Sequence, residues 1–123
     1  MTFDEFIGIR YQDGGDAEHS ASIEIQPHHC NPTGNINGAV FLSMADNLST
    51  GCAGRAYAEK FGEDRFMVGV DVHAVMLANQ LGGTVRAVSR AVRVGRRITV
   101  VRTEVRGEAD RLLADVTTTH VPT

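Results

Sequence analysis

Residues 28–46 read "HHCNPTGNINGAVFLSMAD": polar and turn-forming residues first, an apolar segment after Gly38, and one acid, Asp46, at the end. "NPTGNING" is a loop by composition, and its last residues deliver the chain into a helix near Gly38. From there Val40, Met44, Leu48, Cys52 and Ala56 recur at every fourth position with Phe41 beside them. That period predicts one long helix over 38–59. Ala39, Ser43, Ala45, Ser49, Gly51, Ala53 and Gly54 keep the rest of it slim, so a curved sheet can approach it closely on several sides. Asp46 then sits two helical turns inside a segment built to be covered.

The flanking sequence has the two-residue period of strands. Val68, Val70, Val72, Ala74 and Met76 alternate with Gly69, Asp71 and His73, which predicts a strand over 67–76 with one buried face. Valine- and threonine-rich segments at about 81–94, 97–106 and 112–120 follow, separated by "VGRR" and "RGEADR". Connections this short imply antiparallel neighbours. Upstream, "HSASIEIQ" gives another strand that stops before Pro27. Residues 3–9 form a short amphipathic piece, expected as a helical turn covering one end. The order is strand, helix, then four strands, with no internal repeat or linker, and 123 residues fit a single domain over 1–123.

Composition narrows the function. Hydrophobic residues at 42% and charged residues at 22% exclude a disordered polymer. No apolar run approaches the ~20 residues that span a bilayer. "MTFDEFIGIRYQ" has neither a basic start nor an apolar signal core, so the cytoplasm is the expected location and Cys30 and Cys52 are expected as reduced thiols. Net charge is −3, yet eight arginines and three acids lie between Arg86 and Arg111. Two readings of that basic window stand level: solvated strand faces, or arginine forks for a phosphorylated small molecule. An acidic chain with 6% aromatic residues lacks the stacking platform of a nucleic-acid binder.

The helix start carries the chemistry. Its first backbone N–H groups point outward with part of the helix dipole, and glycine there leaves them open to a ligand. An acyl carbonyl placed against such a donor gains roughly 3–4 kcal/mol as its oxygen becomes negative. Asp46 lies eight residues on, about 12 Å along the axis, so the two groups cannot touch one small group within one chain. Two copies with antiparallel central helices would bring Gly38 of one level with Asp46 of the other. Residue by residue, bland readings compete: Asp46 as an ordinary helix acid, Asn31 and Asn37 as turn formers. His28, His29 and Cys30 are adjacent and have no second ligand pair at metal spacing, so no metal is expected. Cys52 reads as core packing.

The spacing Asn31, Gly34, Asn37-Gly38-Ala39, Asp46 resembles the Asn, two residues, Gly, two residues, His-Gly-Gly and later acid of the hotdog-fold acyl-CoA thioesterases of the phenylacetate-degradation (PaaI-like) group. "VGVDVHAVML" resembles that family's strand after the helix and "VRVGRRITVVRTEV" its hairpin. The resemblance implies an α+β hotdog fold, one central helix wrapped by an antiparallel sheet of five to six strands. It implies hydrolysis of an acyl-CoA or related thioester by a homodimer or dimer of dimers, with coenzyme A as part of the substrate and no cofactor, nucleic acid or membrane involved. Gly38 would supply the N–H that polarises the carbonyl, and Asp46 of the partner subunit would be nucleophile or general base. Asn31 would place the water or the carbonyl. Gly69, His73, Arg93, Arg96 and Arg97 would contact substrate, the arginines through the phosphates of coenzyme A.

This chain departs from the family pattern at Asn37, which takes the histidine's place among the catalytic residues and can still donate and accept hydrogen bonds but cannot titrate, at Ala39, which replaces the second glycine, and at Gly69, where many relatives carry a serine or threonine. A nearly inactive hotdog protein that binds acyl-CoA is therefore the main alternative. An enoyl-CoA hydratase would need a paired Asp and His on a loop and helix, and the sequence displays no such pair.

Overall fold

The computed structural model describes residues 1–12 and 19–123. Its elements are α1 (Phe3–Ile7), β1 (Arg10–Gln12), β2 (His19–Glu24), α2 (Gly38–Phe61), β3 (Met67–Met76), β4 (Thr84–Val94), β5 (Thr99–Arg106) and β6 (Leu112–Pro122), with short 3-10 turns at Pro27–His29 and Glu108–Asp110. The six strands form one antiparallel sheet in the order β1-β2-β4-β5-β6-β3. The sheet wraps α2, as the slim helix implies.

Helix α2 buries Val40, Phe41, Met44, Ala45 and Leu48 against Ile23, Val85, Ala87, Val105 and Val116, while Cys52, Ala53 and Tyr57 pack with Met67 and Val101. It continues two residues beyond the expected end at 59, because Gly62 supplies the left-handed cap at φ 68°. Gly8 at φ 70° stops α1 at Ile7 in the same way, short of residue 9. β4 starts at Thr84 because Gly82 and Gly83 turn the chain first. β1, only three residues long, is too short to announce itself by period.

The alternation expected over 67–76 is corrected. A bulge between Gly69 and Asp71 breaks the register of β3 against β6. Beyond it, Val72, Ala74 and Met76 pair with Thr118, Val116 and Ala114 on the buried face of β6, whereas Asp71, His73 and Val75 pair with residues of the opposite face. β3 is also an edge strand, and within one chain its expected buried face is open: Val70 is 57% exposed, Val72 47% and Met76 45%. Among the described residues no helix is long and apolar enough to cross a membrane.

Candidate functional site

The loop before α2 is held at both ends by side chains. His29 is buried, and its Nδ1 accepts from the Gln26 N–H at 2.8 Å while Nε2–H donates to the Ile7 carbonyl, also at 2.8 Å. Burial holds its pKa below the ordinary imidazole value. Both ring nitrogens are therefore occupied in bracing α1 against the loop. Within the loop the Asn31 N–H donates to the Asn35 carbonyl at 2.7 Å, and Gly34, at φ 90°, donates back to the Asn31 carbonyl at 2.9 Å. Asn79, which the sequence reading missed, clasps Ile36 by donating to its carbonyl (2.8 Å) and accepting from its N–H (3.0 Å).

Asn37 is the N-cap of α2: its Oδ1 accepts from the Ala39 N–H at 2.9 Å, and its carbonyl accepts from the Val40 N–H at 2.9 Å. The Gly38 N–H has no acceptor among the described residues. Around this helix start Phe3, Phe6, Ile7, His28, Asn37 and Val40 line a mostly apolar hollow of about 180 Å³.

Asp46 lies two turns further along and is exposed. It borders a separate cleft of about 440 Å³ with Leu42, Ser43, Gly69 and Val72. Gly69 faces Asp46 so closely that a Cβ there would lie 3.5 Å from Oδ1. The same point is 3.6 Å from Nδ1 of His120, a fully buried residue of β6 that the sequence reading did not single out. Asp46 on α2 and His120 on β6, 74 positions apart in the chain, thus flank the same point, which is not the loop-and-helix pair a hydratase would need. His73 is exposed on the face of β3 opposite Val72 and does not join this cleft within one chain.

Arg93, Arg96 and Arg97 cluster at the β4–β5 turn, closed by the Gly95 N–H donating to the Ile98 carbonyl at 2.9 Å. Arg96 lies 4.5 Å from the Phe61 ring centre and 3.8 Å from the Glu63 carboxylate, so the turn is docked on the C-terminal end of α2. Fifteen residues separate Phe61 from Asp46, about 22 Å along the helix. Elsewhere in the basic window, Arg102 forks onto Asp115 at 2.9 and 2.8 Å, holding that carboxyl below its usual range, and Arg106 pairs with Glu104 at 3.0 Å. Arg93 and Arg97 are exposed and make no ion pair among the described residues.

Cys30 and Cys52 are free; burial pushes the Cys52 thiol up to about 11, which removes it as a nucleophile near neutral pH. No cluster of three or more His, Cys, Asp or Glu side chains suited to a metal occurs among the described residues.

The sequence model of the thioesterase superfamily matches residues 33–114. A Mycobacterium tuberculosis protein provisionally assigned as an esterase is 23% identical over 114 residues, spanning 93% of this chain and 81% of the relative. A structure of the M. tuberculosis esterase of the same provisional assignment superposes with a TM-score of 0.90 at 19% identity, covering 98% and 95% of the two chains. A Haemophilus influenzae thioesterase superposes at 0.85 with 22% identity, covering 98% and 81%. A mutant thioesterase from Pseudomonas aeruginosa is 25% identical at a TM-score of 0.81, covering 99% and 87%. The fold is the hotdog fold.

Proposed function

The chain belongs to the thioesterase superfamily, and we propose that it hydrolyses an acyl-CoA or related acyl thioester to free acid and thiol, as a member of the PaaI-like group. The observation that carries this reading is the unclaimed Gly38 N–H at the start of a 24-residue helix that also carries Asp46 beside a cleft. The carbonyl oxygen rests against the Gly38 N–H, where the helix dipole favours the negative charge that develops on it. Asp46 of the partner subunit either attacks the acyl carbon directly or takes a proton from an attacking water. Asn31, in the loop that shapes the helix start, places the water or the carbonyl.

Two subunits are needed because Gly38 and Asp46 are about 12 Å apart on one rigid helix. The edge strand β3 supports this: ten residues long and lined with exposed valines, it offers unpaired backbone to a second β3. The resulting dimer, alone or doubled, completes the site. Arg93, Arg96 and Arg97 take the phosphates of coenzyme A, and His73 and Gly69 border the acyl group. The reading uses no metal or redox cofactor.

The test is turnover of aryl, short-chain and long-chain acyl-CoA by wild type and Asp46→Asn; equal rates would remove Asp46 from the chemistry. Single turnover in ¹⁸O-water bears on its two roles: label in the Asp46 carboxylate requires an anhydride formed by direct attack and opened at the Asp46 carbonyl, whereas a general base leaves all the label in the product acid. A second reading, an acyl-CoA binder with little turnover, is favoured by Asn37 being engaged as a cap and by the missing hydroxyl at Gly69. Binding without turnover in wild type would establish it.

A further inference from the structure

We propose that His120 is a positioning residue for Asp46, and that the buried imidazole and the carboxylate form a pair that shares one proton at the floor of the cleft. The pair is read from geometry alone, while its use in catalysis rests on the thioester reading above. His120 lies between Gly69 of β3 and Thr99 of β5 in the sheet register, on the side that faces α2. Its Nε2 is 2.9 Å from Thr118 Oγ1, and the Thr118 hydroxyl donates to the Val101 carbonyl at 3.4 Å. With its own proton committed, the Thr118 oxygen accepts from Nε2–H. This fixes the tautomer and leaves Nδ1 with a bare lone pair.

Among the described residues nothing donates to that lone pair: Nδ1 is buried without a partner, and so is Oγ1 of the neighbouring Thr99. A buried polar atom left unpaired is costly and calls for an explanation. Nδ1 and Asp46 Oδ1 both lie within 3.6 Å of the point where a side chain on residue 69 would begin, and glycine leaves that point open. The two acceptors thus flank one open point, and no hydrogen bond joins them in this state. One proton satisfies both. Among the described residues Asp46 is the charged group acting on His120, and the register sets Gly69 of β3 and Thr99 of β5 beside it.

In hydrolysis the water oxygen bonds to the acyl carbon as one of its O–H bonds breaks, and that proton passes to Asp46. The new carboxyl O–H donates to His120 Nδ1, which makes the protonated state easier to reach. The C–S bond then breaks, and the departing thiolate collects the proton from the pair. Atoms balance as thioester plus water to acid plus thiol.

The first test needs no turnover. NMR titration of the His120 ring in wild type should show Nδ1 unprotonated at neutral pH. In Asp46→Asn the midpoint should fall by about one unit, because the neighbouring negative charge that favours imidazolium is gone. An unchanged midpoint overturns the pair. The second test uses His120→Gln, which retains a donor for Thr118 and removes the Nδ1 acceptor. Its kcat should fall about tenfold, and the acidic limb of its pH profile should move to lower pH, since one acceptor binds the proton less tightly than two. A fall in kcat with the limb unmoved means a structural role only and overturns the proposal. If this variant fails to fold, the Asp46→Asn titration decides. A wild type without thioesterase activity would sink the proposed function while leaving the titration coupling measurable.

Discussion

Changing Asn37 to aspartate separates its role as a cap from the chemistry at Gly38. Asn37 Oδ1 accepts from the Ala39 N–H at 2.9 Å, and aspartate caps as well as asparagine does. A negative charge at a helix N-terminus adds about 0.3–1 kcal/mol of stability at an exposed site, so Asn37→Asp should melt at or slightly above the wild-type temperature. The same charge sits roughly 5 Å from the place where an oxyanion would form on the Gly38 N–H. At an effective dielectric near 20 that opposition costs roughly 3 kcal/mol. Solvent around the exposed Asn37 reduces it, leaving a fall in kcat between about tenfold and a hundredfold. Asn37→Ala should do the reverse: losing the cap costs about 1 kcal/mol, lowering Tm by roughly 3–6 °C, with little change in kcat. The assay pairs thermal melts with initial rates of thiol release from an acyl-CoA. Wild-type kcat in a folded Asn37→Asp enzyme would refute an oxyanion at Gly38. Equal losses in both variants would put the Asn37 amide itself in the reaction.

Burial holds His19, His29 and His120 below the ordinary imidazole pKa of 6.5. Below about 6.5 the unfolded chain binds more protons than the native one. Stability complete above that pH is therefore lost as pH falls through the depressed native values; denaturant midpoints between pH 7.5 and 5 should show it, and His29→Gln should flatten the slope. Replacing Arg96 and Arg97 together by alanine should raise KM for acyl-CoA several-fold, with less effect on a truncated thioester lacking the nucleotide, and the difference should shrink with added salt. Equal losses on both substrates would point to a disturbed dimer instead, since Arg96 packs on Phe61 and Glu63.

The legible parts of this molecule are those encoded by local pattern. A stripe of Val40, Met44, Leu48 and Cys52 marks a helix with a covered face, and "NPTGNING" marks a loop that opens it, so α2, its start and the placing of Gly38 and Asp46 follow from the sequence. β3 was legible as a strand but not in its facing. Its valines alternate through Val70, yet the bulge resets the alternation there, and a bulge forms against a partner strand rather than within a local period. His120 was illegible for a related reason. In "VTTTHVP" it resembles any strand residue, and its meaning comes from Gly69 and Asp46, which reach it only when β3, β6 and α2 have assembled. Asn79 is hidden in the same way, since its value lies in the two bonds to Ile36 across 43 residues.

The central claim is that each site takes Gly38 from one subunit and Asp46 from the other. It is tested most directly by mixing two variants that are each inactive: Gly38→Val, at a position where an added Cβ meets the flexible end of Met76 at 3.5 Å, and Asp46→Asn. After subunit exchange a mixed dimer holds one site with both native groups and one with neither. Equal amounts should therefore recover about a quarter of wild-type activity, since about half the dimers are mixed and each has one working site of two. No recovery after exchange, with mixed dimers demonstrated by mass spectrometry, would contradict the composite site.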